Sequence, residues 1–440
     1  VFRYAYGRAS VDLVVFDQGI WAASRTGRPW VSVVGESLLG DHFGPGILGF
    51  SLLYRIVATP VWLLIGQAVA AWVSVRMIAR RLVPAIGEVR AGIVGAALLC
   101  SPPVAYALLF DVHGVVFAAP FALAAVLAMQ DGRPRAALLF GLAAALFRVE
   151  IGAAVVVALA VWPGPRRGRL VPGLVLTAYL AVALALEQRL GAASYWTIHY
   201  SHLGVSPGAA LRDPIGVVRY LVSGQGLVKV TPWLATGAFL ALRRPRLLVP
   251  TVVITLPVLL SRWPGTSDIV YHYGFAPTLF LALAWLPAVL ERPERARYVV
   301  AGCAGLALLL GPVFPALAGD SSPVHFAARF WAPNHEASCI VSGIPADASV
   351  SASQPLTLLA HRRELYLWPY PFQGPDPEVL PSESLAQGDA RLAAGVDYLV
   401  ILKGDASLVP SDFTLEGRSR LYLRYRRDAT TAVAGFHTCD

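Results

Sequence analysis

Charge is what this sequence has least of. Only 14% of its 440 residues are Asp, Glu, Lys or Arg, while 56% are hydrophobic and the mean hydropathy is +0.59. A soluble domain carries about 25% charged residues, so most of this chain has no water-facing surface to cover. Lysine is nearly absent, and arginine supplies almost all the positive charge. A net charge of +9 and a pI near 9.6 do not make the chain a nucleic-acid binder. Its arginines form no single basic stripe with interleaved aromatics; they stand in short clusters between apolar runs. Cysteine is scarce, and Cys100, Cys303, Cys339 and Cys439 lack metal-ligand spacing. Cys100 and Cys303 lie in apolar runs and read as small hydrophobes. Cys339 and Cys439 bracket the C-terminal region and read either as a disulfide, if that region is exported, or as two free thiols. An internal repeat is also missing, which excludes a solenoid.

What is present is a series of long apolar runs. A membrane helix needs about 20 mostly apolar residues, and runs at 59–78, 89–109, 115–129, 170–186, 247–260, 275–290 and 298–317 approach or meet that length. A weaker run lies at 227–242, and the run 136–162 is interrupted by Arg148, Val149 and Glu150. Arginine clusters at 76–81, 133–135, 166–169, 243–246 and 292–297 punctuate these runs. If all five are cytoplasmic, as the positive-inside rule predicts, the interrupted run begins and ends on the same side. It is then two half-helices meeting near Arg148, or a re-entrant hairpin. The expected fold is an α-helical polytopic membrane protein with about ten membrane helices in residues 1–317, followed by a soluble α/β domain in 318–440. An outer first loop at 11–43 would require a further membrane helix ahead of it. In the C-terminal part, 24 charged residues fall between Asp320 and Asp440. Strands are expected there at 346–352 and 397–402, helices at 356–363 and 385–394, and no Gly-rich phosphate loop is seen.

This topology puts most of the polar chemistry on the outer side. Asp12 and Asp17, five apart, stand about 140° from one another around a helix. Either can act as a general base or metal ligand, or Asp12 can cap an interfacial helix while Asp17 is solvated. Asp41 and His42 precede a Pro/Gly break. Asp111 and His113 fall on one side of a turn between two apolar runs, which is either a site or simply a polar turn. Arg148 and Glu150 sit inside an apolar stretch, where ionisable groups are costly and by default functional. The arginine suits a phosphate and the glutamate a proton; the alternative is a mutual ion pair. His272 stands between two tyrosines at a helix end. His199 and His202 have a spacing that permits a metal pair, but no third ligand lies nearby.

These residues, in order, carry a resemblance. The set Asp12-Leu13, Phe16-Asp17-Gln18, Gly40-Asp41-His42-Phe43, Phe110-Asp111 with His113, Val149-Glu150 and Tyr271-His272-Tyr273, followed by IPADASVSAS and HRRELYLWP, resembles a bacterial family of multi-pass membrane proteins. That family in turn looks like the GT-C class of membrane glycosyltransferases. The resemblance implies a polyprenyl-phosphate sugar as lipid donor and an envelope glycan or protein as acceptor. It also implies an acidic residue in the first outer loop as catalytic group, a position that Asp12 holds with Asp17 close behind. Asp41, His42, Asp111, His113, Arg148, Glu150 and His272 are then candidates for substrate binding. No cofactor is required, although a divalent metal on Asp12 and Asp41 is an option. Where the family commonly carries a Lys-Glu-Asp type motif, this chain has Arg148-Val149-Glu150 and lacks the second acid. A lipid or polymer transporter and a non-catalytic envelope anchor are the rival expectations.

Overall fold

The computed structural model describes residues 11–41, 43–161, 168–190, 199–222, 225–262, 272–310, 335–353, 357–368, 396–427 and 437–439. The chain opens with α1 (Val11–Thr26), then a small hairpin of β1 (Trp30–Val31) and β2 (Glu36–Ser37). A four-residue helical turn, Leu38–Asp41, and a 3₁₀ turn, Pro45–Phe50, lead into α2 (Ser51–Ile56). The helical bundle follows: α3 (Val61–Ile86), α4 (Glu88–Cys100), α5 (Pro102–Leu109), α6 (Gly114–Gln130), α7 (Pro134–Phe147), α8 (Val149–Val161) and α9 (Leu170–Leu190). Two short helices, α10 (Pro207–Arg212) and α11 (Pro214–Val222), precede α12 (Gln225–Ala235), α13 (Pro245–Leu260), α14 (Phe275–Glu291) and α15 (Ala296–Leu310).

The described part of every apolar run falls largely on helices, but not every helix is long enough to cross a bilayer alone. Among the described residues, three helical segments meet that requirement by length and composition: Val61–Ile86, Leu170–Leu190 and His272–Glu291. The pair α4–α5 makes a fourth if its bend of 59° lies within one span. That bend falls at Ser101, whose extended backbone is what a following proline imposes. The helices α6, α7, α8 and α13 are apolar but shorter, so the expected count of ten is not reached. The weak run 227–242 breaks at Ala238 and Phe239, which adopt positive φ (46° and 60°) between α12 and a 3₁₀ turn.

The interrupted run is two half-helices. Arg148 is extended (φ −160°, ψ 120°) between α7 and α8, and the chain doubles back there. A Cβ added to Gly152 would stand 2.6 Å from that of Ala145, and one at Gly141 would stand 3.4 Å from Val155 Cγ1. Pairs placed symmetrically about residue 148 therefore touch, which is the signature of an antiparallel hairpin with Arg148 at its apex. The apex packs against glycine on one side: a Cβ at Gly114 would lie 2.7 Å from the carbonyl oxygen of Phe147.

Arginines of three clusters pair with acids at helix ends. Arg81, at the end of α3, forms a bidentate pair with Asp131 (2.6 and 2.8 Å), which Arg133 also binds (2.8 Å). The Arg81 hydrogen bonds hold the Asp131 carboxyl below its usual range. Arg244 pairs with Glu291 across from α14. These are the ends of α6, α7 and α14 away from His113, Arg148 and His272.

The C-terminal part begins, among the described residues, with α16 (His335–Val341) and builds one mixed six-stranded sheet. Its strands are β3 (Val350–Ser353), β4 (Leu365–Trp368), β5 (Tyr398–Leu402), β6 (Phe413–Ser419), β7 (Tyr422–Arg427) and β8 (His437–Cys439). The order is β4-β3-β5-β7-β6-β8, with β3 parallel to both β4 and β5 and with β7 antiparallel to β5 and β6. The strands expected at 346–352 and 397–402 are β3 and β5. The helix expected at 356–363 is not formed: only a 3₁₀ turn, Thr357–Leu359, is present. The segment is pulled out of helix by its side chains, since Arg362 turns inward to the carbonyls of Ile344, Pro345 and Ala348. Burial lowers the Arg362 pKa, yet these acceptors satisfy its charge. The helix expected at 385–394 lies outside the described residues. Cys339 and Cys439 are joined in a disulfide, tying α16 to β8.

Candidate functional site

The site is built outward from α1. Its first turn is held by Asp111, a carboxylate only 2% exposed whose Oδ2 accepts a hydrogen bond from Leu13 N (3.4 Å). A negative group at a helix N-terminus satisfies an orphan N–H and complements the dipole. Asp111 thus fixes the end of α1 that carries Asp12. The turn bearing Asp111 is itself organised by Gln67, a buried amide in the middle of α3. Gln67 donates to the carbonyls of Ala107 (3.4 Å) and Asp111 (3.3 Å) and accepts from His113 N (3.0 Å).

His113 then meets Asp12. Its Nε2 lies 3.8 Å from Asp12 Oδ2, too far for a hydrogen bond but close enough for attraction. The Asp12 side chain is nearly half exposed, so a ligand can reach it. The imidazole of His113 lies in an aromatic column. Phe110 stacks on it (centroids 5.5 Å apart, planes 2° apart), and His272 stacks on it more closely (3.3 Å, 22°), with Tyr273 beside His272 (4.1 Å). The column fixes the two imidazoles face to face between segments that are distant in sequence.

Beyond the two histidines is an open pocket. His113, His272 and Tyr273 form one wall, and the hairpin apex supplies Arg148, Glu150 and Ile151. Tyr200, with Ile254, Pro257 and Val258 of α13, forms an apolar wall opposite. Arg148 Nε and Glu150 Oε2 are 2.9 Å apart, so the carboxylate aims the guanidinium. Arg148 is mostly buried and Glu150 about half exposed. A guanidinium and imidazole donors at the mouth of an apolar slot can bind an anion attached to a lipid.

The remaining candidates lie elsewhere. Asp17 is 1% exposed and accepts a hydrogen bond from Tyr54 OH (2.7 Å), while Nε2 of His361 lies 2.9 Å from the same oxygen. Trp21 stacks on His361 (5.9 Å, 8°). Asp17 therefore binds the C-terminal domain to α1 rather than facing the pocket. The neighbouring Gln18 extends this seam by donating to Ser32 Oγ (2.9 Å) and to the Arg362 carbonyl (2.8 Å). Ser32 exchanges hydrogen bonds with both backbone groups of Leu365, at the start of β4. Asp41 ends the turn Leu38–Asp41; His42 and Tyr271 lie outside the described residues. Phe43, next in the motif, packs against Ala145 and Val149 beside the hairpin apex. His199 and His202 do not form a metal pair. His199 Nδ1 is 2.9 Å from Ser261 Oγ, while His202 packs on Tyr220. Burial, then the nearby Arg262 charge, lowers the His202 pKa. The closest metal-like group among the described residues, Cys339, His437 and Cys439, has both thiols in the disulfide.

Sequence comparison now decides the family. The profile of the predicted membrane proteins described as DUF2079 matches residues 7–407. The chain belongs to that family. No curated protein matches the sequence. Among solved structures, the fold is similar to that of ArnT from Cupriavidus metallidurans bound to undecaprenyl phosphate. The TM-score is 0.55 at 14% identity, covering 99% of this chain and 96% of that one. The same protein in the apo state aligns with a TM-score of 0.53 at 13% identity, over 96% and 94% of the two chains. At that identity the likeness establishes a fold shared with ArnT over nearly the full length of both chains.

Four residues of the site escaped the sequence reading. Gln67 had a signal, an amide inside an apolar run. His361 lay within the HRRELYLWP motif but without a partner in sequence. Tyr54 and Tyr200 carried no signal of their own, because aromatic residues are common at membrane surfaces.

Proposed function

We propose that this protein is a membrane glycosyltransferase that moves a sugar from a polyprenyl-phosphate donor to an acceptor on the outer side of the membrane, with its C-terminal domain on that side. The reading rests on one observation above all: His113, Arg148, Glu150 and His272, from three segments of the chain, line a single pocket, and the exposed carboxylate of Asp12 stands beside His113 at its edge. The fold shared with ArnT supports it.

In this mechanism the donor phosphate sits against Arg148, which Glu150 orients, and against the imidazole of His272. Ile254, Pro257 and Val258 receive the first part of the lipid tail. Asp12 takes the proton from an acceptor hydroxyl, whose oxygen attacks the anomeric carbon. The bond from that carbon to the phosphate oxygen breaks, and polyprenyl phosphate leaves with added charge. Arg148 and His272 stabilise that charge more strongly in the transition state than in the ground state. His113 lies between the two halves of the reaction, touching both Asp12 and His272. Asp17 takes no part, because its carboxylate is enclosed by Tyr54 and His361. No step requires a metal.

The transporter reading draws on the two broken helical segments, at Ser101 and Arg148. Transporters pair such breaks between two repeated halves; here both lie between α4 and α8, and the later break at Ala238 and Phe239 leads from α12 into a 3₁₀ turn rather than joining two half-helices. The test is release of polyprenyl phosphate by the purified, reconstituted protein from a panel of polyprenyl-phosphate sugars. Asp12→Asn should lower release about 10²–10⁴-fold, the usual value of a general base. Full activity in that variant would remove Asp12 from the mechanism.

A further inference from the structure

The segment between His199 and Arg262 carries an apolar surface that the pocket does not use. Helices α10 and α11 are each capped by their own side chains. Ser206 Oγ accepts from Ala209 N (3.3 Å), and Asp213 Oδ1 accepts from Gly216 N (2.9 Å). They are therefore formed helices, not a collapsed loop. Yet Val205, Leu211, Ile215, Val218 and Val222 are between 56% and 95% exposed. On α11, positions 215, 218 and 222 fall within about 60° of one another around the axis, so the exposure is one continuous stripe. Arg212 and Arg219 are exposed too, and Arg219 stands at the edge of the stripe.

The position of this segment says what covers it. Tyr220 OH donates to the carbonyl of Ser261 (3.2 Å), Arg262 N donates to the carbonyl of His199 (2.9 Å), and Tyr200 OH donates to that of Pro257 (3.2 Å). All three contacts tie the segment to the end of α13 opposite the Arg243–Arg246 cluster. On α13, Val249, Val252 and Leu256 are themselves exposed, forming a lipid-facing row that runs toward this end. Helix α11 packs beside α13, so its stripe lies next to that end of the row. A helix with one exposed apolar face and arginine at its edge lies in the plane of such a boundary, with its aliphatic side chains among the acyl chains and its guanidinium groups among headgroup phosphates.

We propose that residues 205–222 dock on the lipid surface, with Arg212 and Arg219 recognising anionic headgroups. This seats Tyr200, which lines the pocket, at headgroup level, so the pocket opens beside the leaflet and not only toward bulk water. The proposal is independent of the transferase reading, since it concerns only the surface that the segment rests on.

The experiment uses the full chain, reconstituted in vesicles of phosphatidylcholine with or without phosphatidylglycerol. A nitroxide is placed by Val218→Cys in a Cys100→Ser background. A second label at Val205→Cys covers the case in which the first disturbs folding, and a water-facing control is placed at Arg420→Cys. Collisions with oxygen, which partitions into acyl chains, are compared with those of a water-soluble nickel chelate. At Val218 or Val205 oxygen should dominate several-fold, and at Arg420 nickel should. Adding phosphatidylglycerol should deepen the label, and the pair Arg212→Ala and Arg219→Ala should abolish that deepening. Nickel dominating at both apolar positions would overturn the proposal. So would shielding from both reagents that fades as the protein is diluted in lipid, because a second copy of the chain would then be covering the stripe.

Discussion

Two carboxylates on one helix, five residues apart, have come to opposite ends of usefulness. Asp12 is nearly half exposed and stands 3.8 Å from His113, which lines the pocket. Asp17 is enclosed and bonded to Tyr54 and His361. Chemically the two are the same, and their sequence neighbourhoods are similarly apolar. The difference comes from what packs on each side of α1: the turn after α5 on the Asp12 side, the C-terminal domain on the Asp17 side. A carboxylate becomes reactive by being left reachable, and structural by being surrounded with donors.

The largest expected effect separates the two outright. Asp12→Asn should abolish most turnover while leaving the melting midpoint of the purified protein within about a degree, since an exposed side chain contributes little to stability. Asp17→Ala should do the reverse in its primary effect. Removing a buried acceptor strands the Tyr54 hydroxyl and His361, a loss of about 2–4 kcal/mol, read as a fall in the melting midpoint by several degrees. If Asp12→Asn melted early and Asp17→Ala did not, the assignment of roles would have to be exchanged.

A smaller effect tests whether Asp17 works through the domain seam. His361→Ala and Tyr54→Phe should each cost about 1–2 kcal/mol, in line with one charge-assisted hydrogen bond apiece. In a double-mutant cycle each should couple to Asp17→Ala, so that the combined loss is less than the sum. Strict additivity would mean that the contacts are incidental. The smallest effect sharpens the other side. Glu150→Gln keeps the size of the side chain but removes the charge that aims Arg148, and should weaken binding of a polyprenyl-phosphate probe only a few-fold. Arg148→Ala should weaken it far more.

Much of this fold could be read before any coordinates. Low charge and apolar runs located the helices, and the arginine clusters required the chain to double back at Arg148, as it does. What was hidden was hidden for physical reasons. The spacing of Asp12 and Asp17 gives their angle on a helix but not which side receives the C-terminal domain, so their roles could not be separated. The segment at 356–363 has helical composition, but His361 and Arg362 find tertiary partners that outweigh local propensity. Strand β7, YLRYRR, does not alternate apolar with polar. One of its buried positions is Arg424, ion-paired with Glu416 (3.1 Å) and donating from Nη1 to the carbonyls of Ile340 and Ser342. Only part of the expected ten spans is matched by length among the described residues, because a half-helix and a full span share the same composition.

The hairpin α7–α8 has a further consequence, which concerns elevation. Its limbs of 14 and 13 residues stand only about 20 Å tall, against a hydrocarbon layer of about 30 Å. If the ends of α7 and α8 away from Arg148 stood at one face of a bilayer, the summit would stop short of the other and Arg148 would lie beneath the opposite headgroup plane. An anion drawn to it would then descend from its own layer into a zone where water is scarce and the pull of a guanidinium is strongest.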